Sequence, residues 1–358
     1  MIITKYIMFP ILKGLLPLNY NEYITKYLIL LEFVSKENES YPKDIFSVIN
    51  HFYFLSVYTS AKVICGPRKA MIIVNDEAFD IKNNGILTKL NFNNVKSWSC
   101  GYYCEMMVIG NELFCRGKNL HGELGLGDFI EHTKFIKNTY VKDVISVHCG
   151  GQHSIIHTKD GIYGCGNNDR GQIGLEEHIY RTGIPSKINI PTVISVSCGR
   201  WHTIVLTVDG LYCFGENNFN QIGINVFTAI FTPTKLTLPY LPSITSFLCG
   251  EMYTLYHGED GLFEYKENEV EDDECYEYHT WKVNMKDVIS FSCSKLNTMI
   301  LTKEGLFHMG KNTWIEGECI SVKLDNKLQN IKSSDQISLD NENIMAFGCG
   351  EKYKVVLT

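Results

Sequence analysis

The chain repeats itself. Val193–Gly223, VISVSCGRWHTIVLTVDGLYCFGENNFNQIG, has a sister in Val144–Gly174, VISVHCGGQHSIIHTKDGIYGCGNNDRGQIG. Both read V-I-S-V-x-C-G-x-x-H, then an apolar run, Asp-Gly, a second short run and a Gly/Asn loop. The same beat returns at Cys65, Cys100, Cys249, Cys293 and Cys349. A period of about 50 residues means stacked supersecondary units, because no single unit of that size buries its own apolar faces.

Each copy carries the same local physics. A β-branched run ends at Cys-Gly, where glycine tolerates a turn. A second apolar run such as Thr203–Thr207 follows. Asp160-Gly161, Asp209-Gly210, Asp260-Gly261 and Glu304-Gly305 then stand between strand-like runs, a strong hairpin signal. A third, aromatic strand comes next (Tyr212, Phe214). A copy is therefore a small antiparallel sheet of three or four strands, and seven in a row read as a propeller.

Val196–Leu206 and the loops Asp169–Gly174 and Leu120–Gly125 fit the diagnostic strings of one family. The chain resembles the regulator-of-chromosome-condensation repeat family, as a divergent member, over about residues 61–358. The resemblance implies an all-β fold, a seven-bladed β-propeller, here with a small N-terminal helical insertion. It also implies that an N-terminal strand completes the last blade. Residues 1–12, through Ile3–Phe9, are the candidate ring-closing strand, expected to pair near Lys352–Thr358. Residues 13–60 form the partly helical insertion, and Tyr41–Phe52 has the look of an F-box opening.

The chemically suggestive residues are consumed by the repeat. Cys100, Cys104, Cys115 and His121 invite a zinc reading, but no Cys-x-x-Cys occurs and Cys100 holds the repeated position. Cys198/His202 and Cys149/His153 invite a nucleophile–base reading, but a catalytic pair is rarely duplicated around a ring. The Gly/Asn loops lack the Gly-Lys-Ser/Thr of a phosphate loop. The sequence thus predicts no catalytic residue, no metal and no cofactor.

What varies between copies is the pair of residues after Cys-Gly. These turns predict a partner-binding face of Arg68, Tyr102, Tyr103, Gln152, Arg200, Trp201, Met252 and Lys295, rich in the residue types that anchor interfaces. An acidic insert, with Glu269, Glu271, Asp272, Asp273 and Glu274, is a candidate docking arm for a basic partner. The formal net charge of −7 argues against direct nucleic-acid binding. The first residues are interrupted by Lys5, Pro10 and Lys13, so no membrane span is expected. An odd count of 13 Cys reads as free thiols in an intracellular protein of cytoplasm or nucleus. The leading expectation is a non-catalytic protein-interaction scaffold. The resemblance also implies two alternatives: guanine-nucleotide exchange on a small nuclear GTPase, and a substrate adaptor binding a ubiquitin-ligase component.

Overall fold

A computed structural model describes residues 61–65, 70–74, 76–81, 87–224, 226–238, 244–266, 280–283, 287–293, 297–302, 305–310, 319–322, 328–331, 336–337, 346–349 and 354–357. The predicted ring-closing strand, the helical insertion with its F-box-like segment, Arg68, Lys295 and the acidic docking arm lie outside them. Residues 61–358 form one compact unit. All described elements are strands. No helix of the described residues is long and apolar enough to cross a membrane.

Each repeat folds as the local signals require. Blade 1 is β1 (Ala61–Cys65), β2 (Ala70–Val74), β3 (Glu77–Ile81) and β4 (Leu87–Lys89). Blade 2 is β5 (Val95–Cys100), β6 (Cys104–Ile109), β7 (Glu112–Gly117) and β8 (His132–Lys137). Blade 3 is β9 (Val144–Cys149), β10 (His153–Thr158), β11 (Gly161–Asn167) and β12 (Arg181–Lys187). Blade 4 is β13 (Val193–Cys198), β14 (His202–Thr207), β15 (Gly210–Gly215) and β16 (Ile230–Lys235). Blade 5 is β17 (Ile244–Cys249), β18 (Tyr253–Gly258), β19 (Gly261–Lys266) and β20 (Thr280–Val283). These five are antiparallel meanders.

The expectation of seven blades with a helical insertion is corrected here: there are six blades, and no helix among the described residues. The sixth blade joins β21 (Val288–Cys293), β22 (Asn297–Thr302) and β23 (Gly305–Gly310). Beyond β24 (Cys319–Val322) and β25 (Leu328–Ile331), it gains β26 (Gln336–Ile337). Among the described residues the seventh copy supplies β27 (Ala346–Cys349) and β28 (Lys354–Leu357). Its sheet runs β25-β24-β28-β27, with β24 parallel to β28. A parallel pair needs a long crossover rather than a hairpin, which marks this sheet as different from a blade. β27 still packs beside β1: a Cβ on Gly348 would lie 2.9 Å from Val63 Cγ1.

The hairpins use glycine one position later than the Asp-Gly signal suggests. Thr207 pairs with Gly210, so Val208 and Asp209 make the turn and Gly210 follows at φ +116. Gly161 sits likewise at +123. These backbones favour glycine. The aspartates are tied to the third and fourth strands: Tyr212 Oη donates to Asp209 over 3.0 Å, and Lys235 lies 3.0 Å from the same carboxylate.

Blades bury each other. Along β14, His202, Thr203, Ile204 and Val205 are all buried, because a blade in the ring has a neighbour on both faces. Ile155 and Ile162 of blade 3 meet Val196, Val205 and Phe214 of blade 4. Ile204 and Cys213 meet Phe247, Tyr256 and Tyr265 of blade 5.

The repeated cysteine and histidine positions join blade to blade. The thiols of Cys149, Cys198, Cys249 and Cys349 donate to carbonyls of the preceding inner strand: Ser99, His148, Ser197 and Ser292. His153 Nε2 lies 3.1 Å from Thr203 Oγ1, His202 Nε2 lies 3.0 Å from Thr254 Oγ1, and Tyr253 Oη lies 3.0 Å from Thr298 Oγ1. Thr203 and Thr254 pass their own protons to the carbonyls of Gln172 and Gln221. Each imidazole must therefore donate from Nε2, which leaves Nδ1 a bare lone pair. Neither His153 Nδ1 nor His202 Nδ1 has a hydrogen-bond partner.

Candidate functional site: an arginine–aromatic face

The geometry does not assemble a catalytic pair. His202 points to Thr254 rather than to Cys198, whose thiol bonds the carbonyl of His148. Burial pushes the Cys198 thiol well above its ordinary range and holds His202 down at about 3. An activated cysteine needs the reverse: a thiolate beside an imidazolium. Nor do Cys100, Cys104, Cys115 and His121 form a metal-holding group; no such group exists among the described residues.

The Gly/Asn loops are built by their own side chains. Asn168 Nδ2 donates to the Ile179 carbonyl and Asn217 Nδ2 to that of Val226, while their Oδ1 atoms accept from Ile173 and Ile222. Gln172 and Gln221 accept from the backbone of Arg170 and Phe219. The loops need their asparagine, glutamine and glycine for shape, and the residues between are spared for the surface.

The variable turns stand between first and second strands. Tyr102 and Tyr103 lie in the β5–β6 turn, Gln152 in β9–β10, Arg200 and Trp201 in β13–β14, and Met252 in β17–β18. Four of the six are drawn together. The Tyr102 and Tyr103 rings are 6.2 Å apart, and the Arg200 guanidinium lies 5.5 Å from Tyr102 and 5.3 Å from Trp201. Gln152 instead accepts from Asn167 at 3.2 Å, and Met252 is half-buried on the next turn.

Residues not singled out in the sequence complete the array. Arg170 stacks on Trp201 at 4.9 Å, so that indole contacts two guanidinia. Lys118 lies 4.8 Å from the Tyr103 ring. Beneath the arginines sit two carboxylates: Glu251 accepts from Arg200 at 2.6 Å, and Glu216 from Arg170. Their side chains are 4% and 2% exposed, against 38% and 44% for the two arginines. Burial raises the Glu216 carboxyl, with Arg170 opposing the shift. The signal for these residues was present: Lys118, Asn167 and Glu216 share one repeat position, and His121, Arg170 and Phe219 another. Both vary as freely as the turns. Tyr102, Arg200 and Glu251 also line a cavity of about 230 Å³ with Cys149 and Cys198.

The regulator of chromosome condensation (RCC1) repeat matches residues 111–156 and 159–206, and a second form of that repeat matches 193–221. The chain is a divergent RCC1-like β-propeller. No curated protein matches it. Human WBSCR16 superposes with a TM-score of 0.61 at 18% identity, over 81% of this chain and 85% of that one. Prp20p of Saccharomyces cerevisiae, solved with attention to its binding of Gsp1p and histones, gives 0.63 at 17%, over 80% of each chain. Yeast RCC1 (Prp20) bound to Kap60 gives 0.60 at 15%, over 81% and 78%. At these identities the likeness is one of fold.

Proposed function

We propose that this RCC1-like propeller is a non-catalytic scaffold that docks a protein partner on the face around Arg200 and Trp201. One observation carries the reading: two half-exposed guanidinia are stacked on aromatic rings and braced from below by buried glutamates. Such groups are already ordered, so a partner need not fix them, and Arg, Trp and Tyr dominate binding energies. Cys104, Cys115, Cys149, Cys165, Cys198, Cys213 and Cys249 are thiols rather than disulfides, which fits a reducing compartment. Pull-down with Tyr103→Ala and Trp201→Ala in the full chain tests the assignment. Partners are expected to be lost while thermal stability stays near the parent's. Retention of every partner rejects this face.

Guanine-nucleotide exchange on a small GTPase is the second reading, favoured by the likeness to Prp20p, a protein studied for binding Gsp1p. It too uses a protein surface rather than a nucleophile. A nucleotide-release assay with a loaded GTPase decides it: no acceleration leaves the scaffold alone.

A further inference from the structure

We propose that the Arg170/Arg200 pair receives the carboxylates of an acidic peptide segment on the partner; this rests on the docking reading above. Arg170 comes from the loop after β11 and Arg200 from the turn before β14, so two blades supply the pair. A guanidinium has five N–H donors in a rigid fork. The described carboxylates accept from one nitrogen, Nη1, of each arginine, and both carboxylates are almost fully covered. What reaches solvent is therefore donor-rich: the rest of two forks, with Lys118 on the same array beside Tyr103.

Ring contacts hold both guanidinia in place, and the fork they present is what a lysine would lack. Arg200 lies against Trp201 and Tyr102, and Arg170 against Trp201. A guanidinium attracted to a ring face still has further N–H groups to offer to acceptors. Bidentate carboxylate recognition is what such a fork does best. A phosphate backbone would also offer acceptors, but the net charge of −7 opposes a polyanion that must lie along an extended surface. A short acidic segment needs only the two forks.

The test uses the full chain and a fluorescein-labelled octaglutamate peptide, read by anisotropy at low and moderate salt. An octalysine peptide and a DNA duplex of similar length are the comparators. The glutamate peptide is expected to bind alone and to weaken as salt rises. Arg170→Lys and Arg200→Lys keep the charge and remove the fork, and each is expected to cost on the order of tenfold in affinity. Melting curves of both variants confirm folding. Equal binding by the lysine variants overturns the fork, tighter binding of DNA overturns the peptide, and no binding of octaglutamate overturns the acidic chemistry. If octaglutamate fails while natural partners still depend on Trp201, only this inference falls and the docking face stands.

Discussion

Gly199 separates Cys198 from Arg200 and has no room for a side chain. A Cβ there would strike the His202 ring and lie 2.7 Å from the carbonyl of Gly250 in the next blade. Gly150 meets His153 and the Gly199 carbonyl in the same way. This, rather than a left-handed backbone, is why glycine follows the repeated cysteine in these copies. Gly199→Ala should destabilise by about 1–3 kcal/mol, as overpacking does. Urea unfolding of the variant measures it, and an unchanged midpoint would show that His202 yields without cost. Because the same turn carries Arg200, the variant should also weaken partner binding.

At the scale of the element, the hydroxyl of Thr254 is the hinge between blades 4 and 5. It accepts from His202 and donates to the Gln221 carbonyl at 2.6 Å, and it is fully buried. Thr254→Val keeps the shape and orphans both partners, which costs about 1–3 kcal/mol for each buried group left unpaired. The midpoint in urea should fall well beyond that of a Thr234→Val control on the exposed fourth strand. Equal shifts would mean that the inter-blade bond contributes nothing. The pairing was only partly legible. Cysteine, glycine, histidine and the hairpin aspartates announced the strands and turns, because local geometry dictates those residue types. That His202 reaches a threonine in the following blade could not be read from one copy, since the partner is some 50 residues away. The seventh sheet departs from the repeat pattern for a related reason. Strand signals fix direction and length within a copy, but β24 joins β28 by a non-local parallel pairing that no short pattern encodes. Likewise the arginine face is half legible in the sequence: the variable turns mark Arg200 and Trp201, while Arg170 and Glu216 stand inside loops whose repeated glycines and asparagines serve loop shape.

For the molecule as a whole, the buried imidazoles set an acid limit. Burial holds His153 and His202 at about 3, with His202 adding to the effect on His153, and holds His148 at about 4 with His157 contributing. An unfolded histidine titrates near 6.5. The folded state keeps these groups neutral where the unfolded state binds protons, so stability is complete above pH 6.5. It is lost progressively as pH falls from there toward the folded values. Each fully buried imidazole loses about 1 kcal/mol between pH 6 and pH 5, and the loss recurs around the ring because the motif does. The raised carboxyls of Glu123 and Glu216 act in the opposite sense at the acid end, since protonation relieves their burial. Urea midpoints at pH 7.5, 6 and 5 should therefore descend, and His202→Gln, which removes one titrating ring, should flatten the descent even while lowering stability at pH 7.5. A midpoint indifferent to pH in the parent, or a variant as steep as the parent, would mean that these rings are solvated well enough to take up protons in the folded ring.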